Sequence, residues 1–497
     1  MKRKKKSSIS SNPSEDPLED QLERFKPLLS GEEYLRLQEE IRKPLLPAFR
    51  INPQKTGPDF ILSLTERYGW TLSNIPYCPT GFRLENNEGV GVSSTVEHKT
   101  GLLYIQEAAS MLPVELFSIR KDPENLTLDL AASPGGKTTH LIDRQSDTGL
   151  TFANDSSQGR IQALKIVLQH WGACSAAVTH FPGERFGGWF PNTFDRALID
   201  APCSMQGLRT SESHNSRPVT IKESRMLSQR QTRLLTSALQ AVKPGGEVVY
   251  STCTLLPEED EEVVESILKK FSRSVQLLST GKVLPLAAPG IQSYQDRKYE
   301  FSMENTVRFW PHRYHTAGFF ACVFRKIDEL DLPTSPAPEH SMEKAGFCPL
   351  SMEQESSFCR NFENWSGFPL SSHLESNQRV LIQRGERMFI FPQLFMDKFR
   401  SLPVQSAGIL LGEEGAEGFI PSPEWTSRFG AGCQNLQLVL DPEQYLTFTQ
   451  GEDLSIPSGK NTTDGNFRVV LDQQGRVLGR GKIVSDRVKN LSSNQYR

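Results

Sequence analysis

The chain has 497 residues, of which 37% are hydrophobic and 23% charged, with a formal net charge of −3 and a mean hydropathy of −0.44. That length exceeds one ordinary core and implies about two to four domains, while no apolar run reaches the ~18 residues of a membrane span. The near-neutral balance excludes a global positive field for nucleic acid and leaves only local patches. The eight cysteines lack Cys-x-x-Cys or Cys/His metal spacing, so reduced thiols in a cytoplasmic protein and no metal site are expected.

The opening "MKRKKKSSISSNPSEDP" is basic but has no apolar stretch behind it, as a secretory signal would. Residues 1–17 are therefore expected to form a disordered tail, with Lys2 to Lys6 giving at most a non-specific attraction to phosphates. From 18 to 99, Leu22, Phe25, Leu28, Leu29, Tyr34, Leu35 and Leu37 carry helical spacing until prolines break it, which predicts a small module of helices and loops. Over 100–328 strand and helix signals alternate. "NLTLDL", "LTFAND", "FDRALID", "GEVVYST" and "GFFACVFRK" read as buried strands. "GRIQALKIVLQHWG", "RMLSQRQTRLLTSALQAVKPGG" and "EEDEEVVESILKKFSR" read as helices, the second stopped by Pro-Gly-Gly. Such alternation predicts an α/β fold, a mostly parallel sheet with helices on both faces. The proline-rich 329–345 reads as a linker, and 346–497, with short strand-like runs and turn residues, as a β-rich region in one or two parts.

"DLAASPGGKTTHL", Asp129 to Leu141, suggests a phosphate cradle, but a P-loop needs glycine five positions before its Gly-Lys. Ala131 stands there. The other reading is the glycine turn after the first strand of a doubly wound sheet, where ligands sit at the carboxyl ends of the strands and an acid about 20 residues on takes ribose hydroxyls. Asp155, at the end of "LTFAND", fits that place; alternatively the glycines merely permit a tight turn and Asp155 caps the helix beginning near Ser157.

"DAPCS", Asp200 to Ser204, and "YSTCT", Tyr250 to Thr254, each put a cysteine just past a core strand, at the edge where the glycine loop lies. A single such cysteine would pass for a small buried hydrophobe. Two, flanked by Asp-Ala-Pro and Ser-Thr, point to chemistry.

With these motifs, and with "TGLLYIQEAASMLPVELF", "LQAVKPGGEVVYSTCTLLPEEDEEVV" and "RFWPHRYHTAGFFACVFRK", the chain resembles the RNA cytosine-5 methyltransferases of the Nol/Nop/Sun family. The match runs from about Thr100 to Lys326, and "SAGILLGEEGAEGF" and "GRVLGRGKIVSDRVKN" extend it into a region similar to PUA-like RNA-binding domains. The resemblance implies a Rossmann-like class I methyltransferase core. It implies S-adenosylmethionine on the loop Ala131, Ala132, Ser133, Pro134, Gly135, Gly136 and Lys137, with Asp155 on the ribose. It further implies Cys253 as nucleophile, Cys203 as the cysteine that assists product release, Asp200 on the flipped cytosine and on the cofactor side of the pocket, and Lys137 in the active site. The implied partner is ribosomal RNA or the small ribosomal subunit, with tRNA, or RNA binding without catalysis, as the alternatives. An N-terminal RNA-binding module, a monomer and no membrane association complete the expectation.

The chemistry needs such a set. Cytosine C5 is a poor nucleophile until a thiolate adds at C6, protonation at N3 eases that addition, and the base must leave its stack to reach a pocket. The chain departs from the family pattern at Pro182, where an acid usually stands, at Gln206, where Glu is usual, and at Ser133, usually alanine. Arg480, Lys482, Arg487 and Lys489 suit either a polar hairpin or RNA backbone contact. Arg308, Trp310, His312 and His315 would either anchor a core or line the RNA pocket.

Overall fold

The computed structural model describes residues 22–87, 89–207, 219–281, 284, 288–415, 418–455 and 467–492. The basic tail expected at 1–17 lies outside these residues.

The N-terminal module contains more sheet than its spacing suggested. Helix α1 (Gly31–Glu40) begins in a capping box in which Ser30 and Glu33 exchange side-chain and backbone hydrogen bonds. It buries Tyr34 and Leu37, while Leu35 remains 61% exposed; the helix presents one stripe to the core, and Leu35 falls off it. Beyond it, β1 (Ala48–Ile51), α2 (Phe60–Tyr68), β2 (Thr71–Asn74), β3 (Gly81–Asn86) and β4 (Leu103–Ile105) build an antiparallel sheet in the order β2-β3-β1-β4. The expectation of helices and loops alone is corrected here: these strands are only three to six residues long, too short to show clear alternation.

The central sheet is the expected one. It runs through β5 (Leu126–Asp129), α3 (Gly136–Arg144), β6 (Leu150–Asn154), α4 (Gln158–Trp171), β7 (Ala176–Thr179), β8 (Phe194–Asp200), α5 (Ile221–Ala241), β9 (Val242–Thr252), α6 (Glu261–Lys270), β10 (Val275–Leu278), β11 (Val307–Phe309) and β12 (Phe319–Lys326). Strands β7, β6, β5, β8 and β9 are parallel neighbours in that order, and β12 inserts antiparallel between β9 and β10. Every residue of β5, β6 and β7 is buried, as strands covered on both faces must be. Helix α5 ends at Ala241, and Lys243-Pro244-Gly245-Gly246 already belongs to β9. The Pro-Gly-Gly stop thus acts at the start of the strand, three residues past the helix end. Gly246 is required there: a Cβ would lie 2.6 Å from the Asp195 carbonyl oxygen.

The C-terminal region is not separate from this core. Strands β13 (Cys348–Pro349), β14 (Arg379–Arg384), β15 (Arg387–Pro392), β17 (Ile409–Gly415) and β18 (Gly418–Pro421) form one sheet, while β16 (Ser406–Ala407) pairs with β7 and extends the central sheet. Strands β19 (Gln437–Val439), β20 (Leu454–Ser455), β21 (Phe467–Leu471), β22 (Val477–Val484) and β23 (Arg487–Asn490) form a second sheet. Helices α7 (Met352–Ser366) and α8 (Pro423–Phe429) pack between them. Buried Phe391, Phe395 and Phe399 share a core with Phe152 and Phe194 of the central sheet.

Polar ties lock the parts together. Arg50 of β1 is fully buried and donates to Gln106 Oε1 (2.8 Å), Asp143 Oδ2 (2.7 Å), Thr139 Oγ1 (2.7 Å) and the Gly136 carbonyl (2.9 Å). The N-terminal module is thereby keyed to the helix that follows the glycine loop. The ammonium of Lys55 donates to the carbonyls of Thr100 and His170 and to Ser427 Oγ on α8.

Candidate functional site

The glycine loop follows β5 and turns into α3 through Gly135, at φ +118°, a backbone conformation that side chains rarely adopt. Space also demands glycine: a Cβ on Gly135 would lie 2.9 Å from Val167 Cγ1, and one on Gly136 2.7 Å from Tyr104 Cε1. The Ser133–Pro134 peptide is cis. Asp155, just past β6, is buried against this loop; Oδ2 accepts from the Ser133 amide (3.2 Å) and Oδ1 from the Ser157 amide (2.9 Å). Asp155 thus ties the glycine loop to the residue that precedes α4, whose N-cap Ser157 itself carries no side-chain cap.

Beneath the loop, Asp129 ends β5. Burial pushes its carboxyl up to about 7, although a 2.7 Å hydrogen bond from Thr138 Oγ1 acts the other way. Its Oδ1 is buried without a hydrogen-bond partner. An unmatched acceptor at this depth is costly unless a ligand or a proton completes it. The sequence reading passed over Asp129, yet its position at the end of the first strand was a usable signal.

Lys137, on the first turn of α3, turns inward. Its ammonium donates to Ser110 Oγ (2.7 Å) and Asp200 Oδ2 (2.8 Å). Burial pulls its pKa down, but the charge and hydrogen bond of Asp200, then the nearby Cys253 and Asp129, prevail and hold it above the usual lysine value. The solvated helix-start lysine is thus replaced by a cation inside the site. Asp200 Oδ1 also accepts from Ser251 Oγ at 2.9 Å.

The two cysteines meet. Cys203 Sγ and Cys253 Sγ lie 3.1 Å apart, although fifty residues separate them in the chain. Cys253 is exposed and Cys203 half-buried. The Cys253 sulfur, then burial, push the Cys203 thiol well above its ordinary range.

A buried polar frame holds both loops. Glu259 accepts from the Ser204 amide (2.9 Å) and from Gln231 Nε2 (3.0 Å), which also donates to the Pro202 carbonyl. Thr252 Oγ1 donates to Asp260 Oδ1 (2.7 Å), and Arg308 Nη1 to the Leu255 carbonyl (2.7 Å). Gly207 is wedged in the middle, where a Cβ would lie 2.6 Å from the Gly318 carbonyl oxygen and 2.8 Å from that of Cys253. Gln206 is buried and donates to the Ser204 carbonyl at 3.2 Å, so the amide serves the loop's own turn.

At this edge the structure decides between the two readings of Arg308 and Trp310. Arg308 is fully buried between Asp260 and Glu261, and Trp310 is 4% exposed and packs edge-on against Phe25. Both belong to the core and not to an RNA-lining surface; the guanidinium sits inside because two buried carboxylates neutralise it. His315 stands outside and contacts Glu40. Pro182 lies at the end of the segment after β7, and the nearest carboxylate along the chain, Glu184, is paired with Arg230 at 3.3 Å.

The fold also gathers Cys78, Glu115 and His140, whose ligand-capable atoms lie within 4.8 Å of one another, a grouping their spacing concealed. His140 Nε2 lies 2.8 Å from Glu115 Oε1, and burial, with Arg50 next, takes the imidazole down to about 4, so it is neutral near pH 7. Arg144 also reaches Glu115 at 3.3 Å, and these two arginines oppose a dication there.

A run of five parallel strands with one antiparallel strand inserted near its edge, and a glycine turn and two acids at the carboxyl ends of β5 and β6, define a class I methyltransferase dependent on S-adenosylmethionine. Comparison with known proteins carries this further. Residues 117–325 match the family model described as 16S rRNA methyltransferase RsmB/F, and residues 19–108 that of the N-terminal domain of 16S rRNA methyltransferase RsmF. The ribosomal RNA small subunit methyltransferase F of Aeromonas hydrophila is 32% identical over 452 residues, 90% of each chain. That of Vibrio parahaemolyticus is 30% identical over 90% of this chain and 91% of its own. A methyltransferase homologue from Pyrococcus horikoshii superposes with a TM-score of 0.53 at 31% identity, covering 62% of this chain and 99% of its own. The chain belongs to the RsmB/F family of 16S rRNA methyltransferases. Among the described residues no helix is long and apolar enough to cross a membrane.

Proposed function

We propose that the protein methylates C5 of a cytosine in small-subunit ribosomal RNA, as a monomer, through a covalent bond between Cys253 and C6. The observation that carries this reading is the 3.1 Å approach of the two strand-end sulfurs beside the Lys137–Asp200 pair. A cysteine that only filled core space would not be exposed, as Cys253 is.

S-adenosylmethionine supplies the methyl group. The residues suit it: the loop from Ala131 to Lys137 lies at the carboxyl end of β5, Asp155 beside it offers a carboxylate for ribose hydroxyls, and Asp129 Oδ1 lacks a partner that a ligand donor would provide.

The Cys253 sulfur adds to C6 as its thiol proton passes to the Asp200 carboxylate and on to N3, which receives the electrons displaced from the C5–C6 double bond. Lys137 fixes the Asp200 carboxylate through their 2.8 Å ion pair, with its ammonium beside Cys253. After C5 has gained the methyl group, the C5 proton passes to a base, the N3 proton returns to Asp200, the C5–C6 double bond re-forms and the C6–S bond breaks. The Cys203 S–H, kept protonated by its surroundings, donates to the departing Cys253 sulfur. The N-terminal module and the C-terminal sheets, with Lys482, Arg487 and Lys489, would hold the RNA backbone; Arg480 instead donates to the carbonyls of Pro421 and Leu491.

The test is methyl transfer from labelled S-adenosylmethionine to small ribosomal subunits, naked 16S rRNA, tRNA and DNA, followed by mapping of 5-methylcytosine. Cys253→Ala is expected to abolish transfer. Cys203→Ala is expected to accumulate an RNA–protein adduct that survives denaturing electrophoresis. The opposite phenotypes, or label confined to DNA or tRNA, would refute the assignment.

A further inference from the structure

We propose that the cleft between α7, the β17–β18 hairpin and the second C-terminal sheet binds a single unstacked nucleobase of RNA, with the flanking phosphate on Lys482 and Lys489. This rests on the reading that the substrate is ribosomal RNA. It adds a binding site that lies apart from the residues of the methyl-transfer edge.

The cleft has a volume of about 440 Å³ and is walled by aromatic rings from three elements: Phe358 and Trp365 of α7, Phe419 of β18 and Phe467 of β21. Phe358, Trp365 and Phe419 are each only half-buried. Trp365 stands edge-on to Phe419 at 6.4 Å and tilted to Phe467 at 6.2 Å. Three rings that pack against one another yet keep part of their surface in an open cleft are what a sequence-tolerant base site requires, because every base offers a π-face.

Charge selects the occupant. Phe467 pairs across the sheet with Lys482, and Lys482 with Lys489, so aromatic, cation and cation follow one another in a row over three strands. The phosphates next to a base stacked in the cleft would meet the ammonium groups of that row. Asn361, whose amide both donates and accepts, and the Glu414 carboxylate also line the cleft, giving it groups able to read a base edge.

The probe is a fluorescently labelled single-stranded RNA oligonucleotide titrated with the full-length protein, read by anisotropy at several salt concentrations. Trp365→Ala is expected to weaken binding by about tenfold to a hundredfold with an unchanged salt slope, while Trp365→Phe retains most of the affinity. Lys489→Ala is expected to lower the slope by about 0.7. An oligonucleotide with abasic sugars throughout should bind Trp365→Ala and the unaltered protein equally. Thermal unfolding of each variant checks the fold. Independently of any variant, cross-linking a 4-thiouridine oligonucleotide to the unaltered protein should mark α7 or the β17–β18 hairpin. Equal affinity of Trp365→Ala and the unaltered protein overturns the proposal, as do cross-links only elsewhere or a Trp365-dependent dimer in sedimentation. Because these readouts involve no methyl transfer, they decide the cleft even if the mapping of 5-methylcytosine goes against the proposed reaction.

Discussion

Replacing Asp147 by Asn should separate the methyltransferase core from its C-terminal half. Asp147 follows α3 with its side chain fully buried, and it gathers donors from both sides of the boundary. From the core come the amides of Cys174 (3.2 Å) and Ser175 (2.9 Å) and the Ser175 hydroxyl (2.7 Å). From the C-terminal half come Arg379 Nη2 at 3.0 Å and Arg428. Burial acts against the carboxylate, but Arg428 and then Arg379 outweigh it and take its pKa down to about 2. From an unfolded value of about 3.9 this is about 2.6 kcal/mol of stability at neutral pH. A depressed carboxyl contributes in full above the unfolded pKa, so the contribution is present above about pH 4 and is lost as the pH falls through about 2. Asparagine suits the backbone, because Asp147 has φ +53° and Asn tolerates that region. The substitution therefore removes charge without adding strain, and it leaves two buried guanidinium groups unmatched. Breaking a buried pair in this way costs about 3–5 kcal/mol. Urea unfolding followed by circular dichroism, with limited proteolysis to show which half is released, would measure it. A loss under about 0.5 kcal/mol with unchanged proteolysis would refute the claim that this carboxylate couples the two halves.

Other expectations follow from the same geometry. Gly207→Ala should cut methyl transfer at least tenfold with a small change in melting temperature, because relief of the contacts with the Gly318 and Cys253 carbonyls must move the nucleophile's loop; wild-type kcat would show that the loop has slack. Lys137→Met should lower the rate of adduct formation more than S-adenosylmethionine affinity, read by single-turnover kinetics and by calorimetric titration, and equal losses in both would place Lys137 on the cofactor alone. His140, at about 4 in the folded protein against about 6.5 unfolded, binds a proton more readily when unfolded. Stability should therefore fall by about 3 kcal/mol as pH drops from 6.5 to 4, and His140→Gln should flatten that part of the profile; an unaltered slope would exclude the histidine.

The sequence by itself determined the central sheet, the loop and both cysteine motifs, since each is a local signal. Runs such as "LTFAND" and "FDRALID" are apolar because they are covered on both faces, and Asp155, Asp200, Cys203 and Cys253 stand where a strand ends. Short strands left no such mark, so the N-terminal sheet was hidden, and Leu35 looked like part of a face that turns away from it. Tertiary structure alone decided what distant residues do together. Only packing of β8 beside β9 brings Cys203 to 3.1 Å from Cys253. Only the closure of Asp260 and Glu261 around Arg308 decides between the core and the RNA pocket for this residue and makes it part of the frame behind the nucleophile. The partner of a buried charge is set by three-dimensional proximity, and sequence spacing does not encode it.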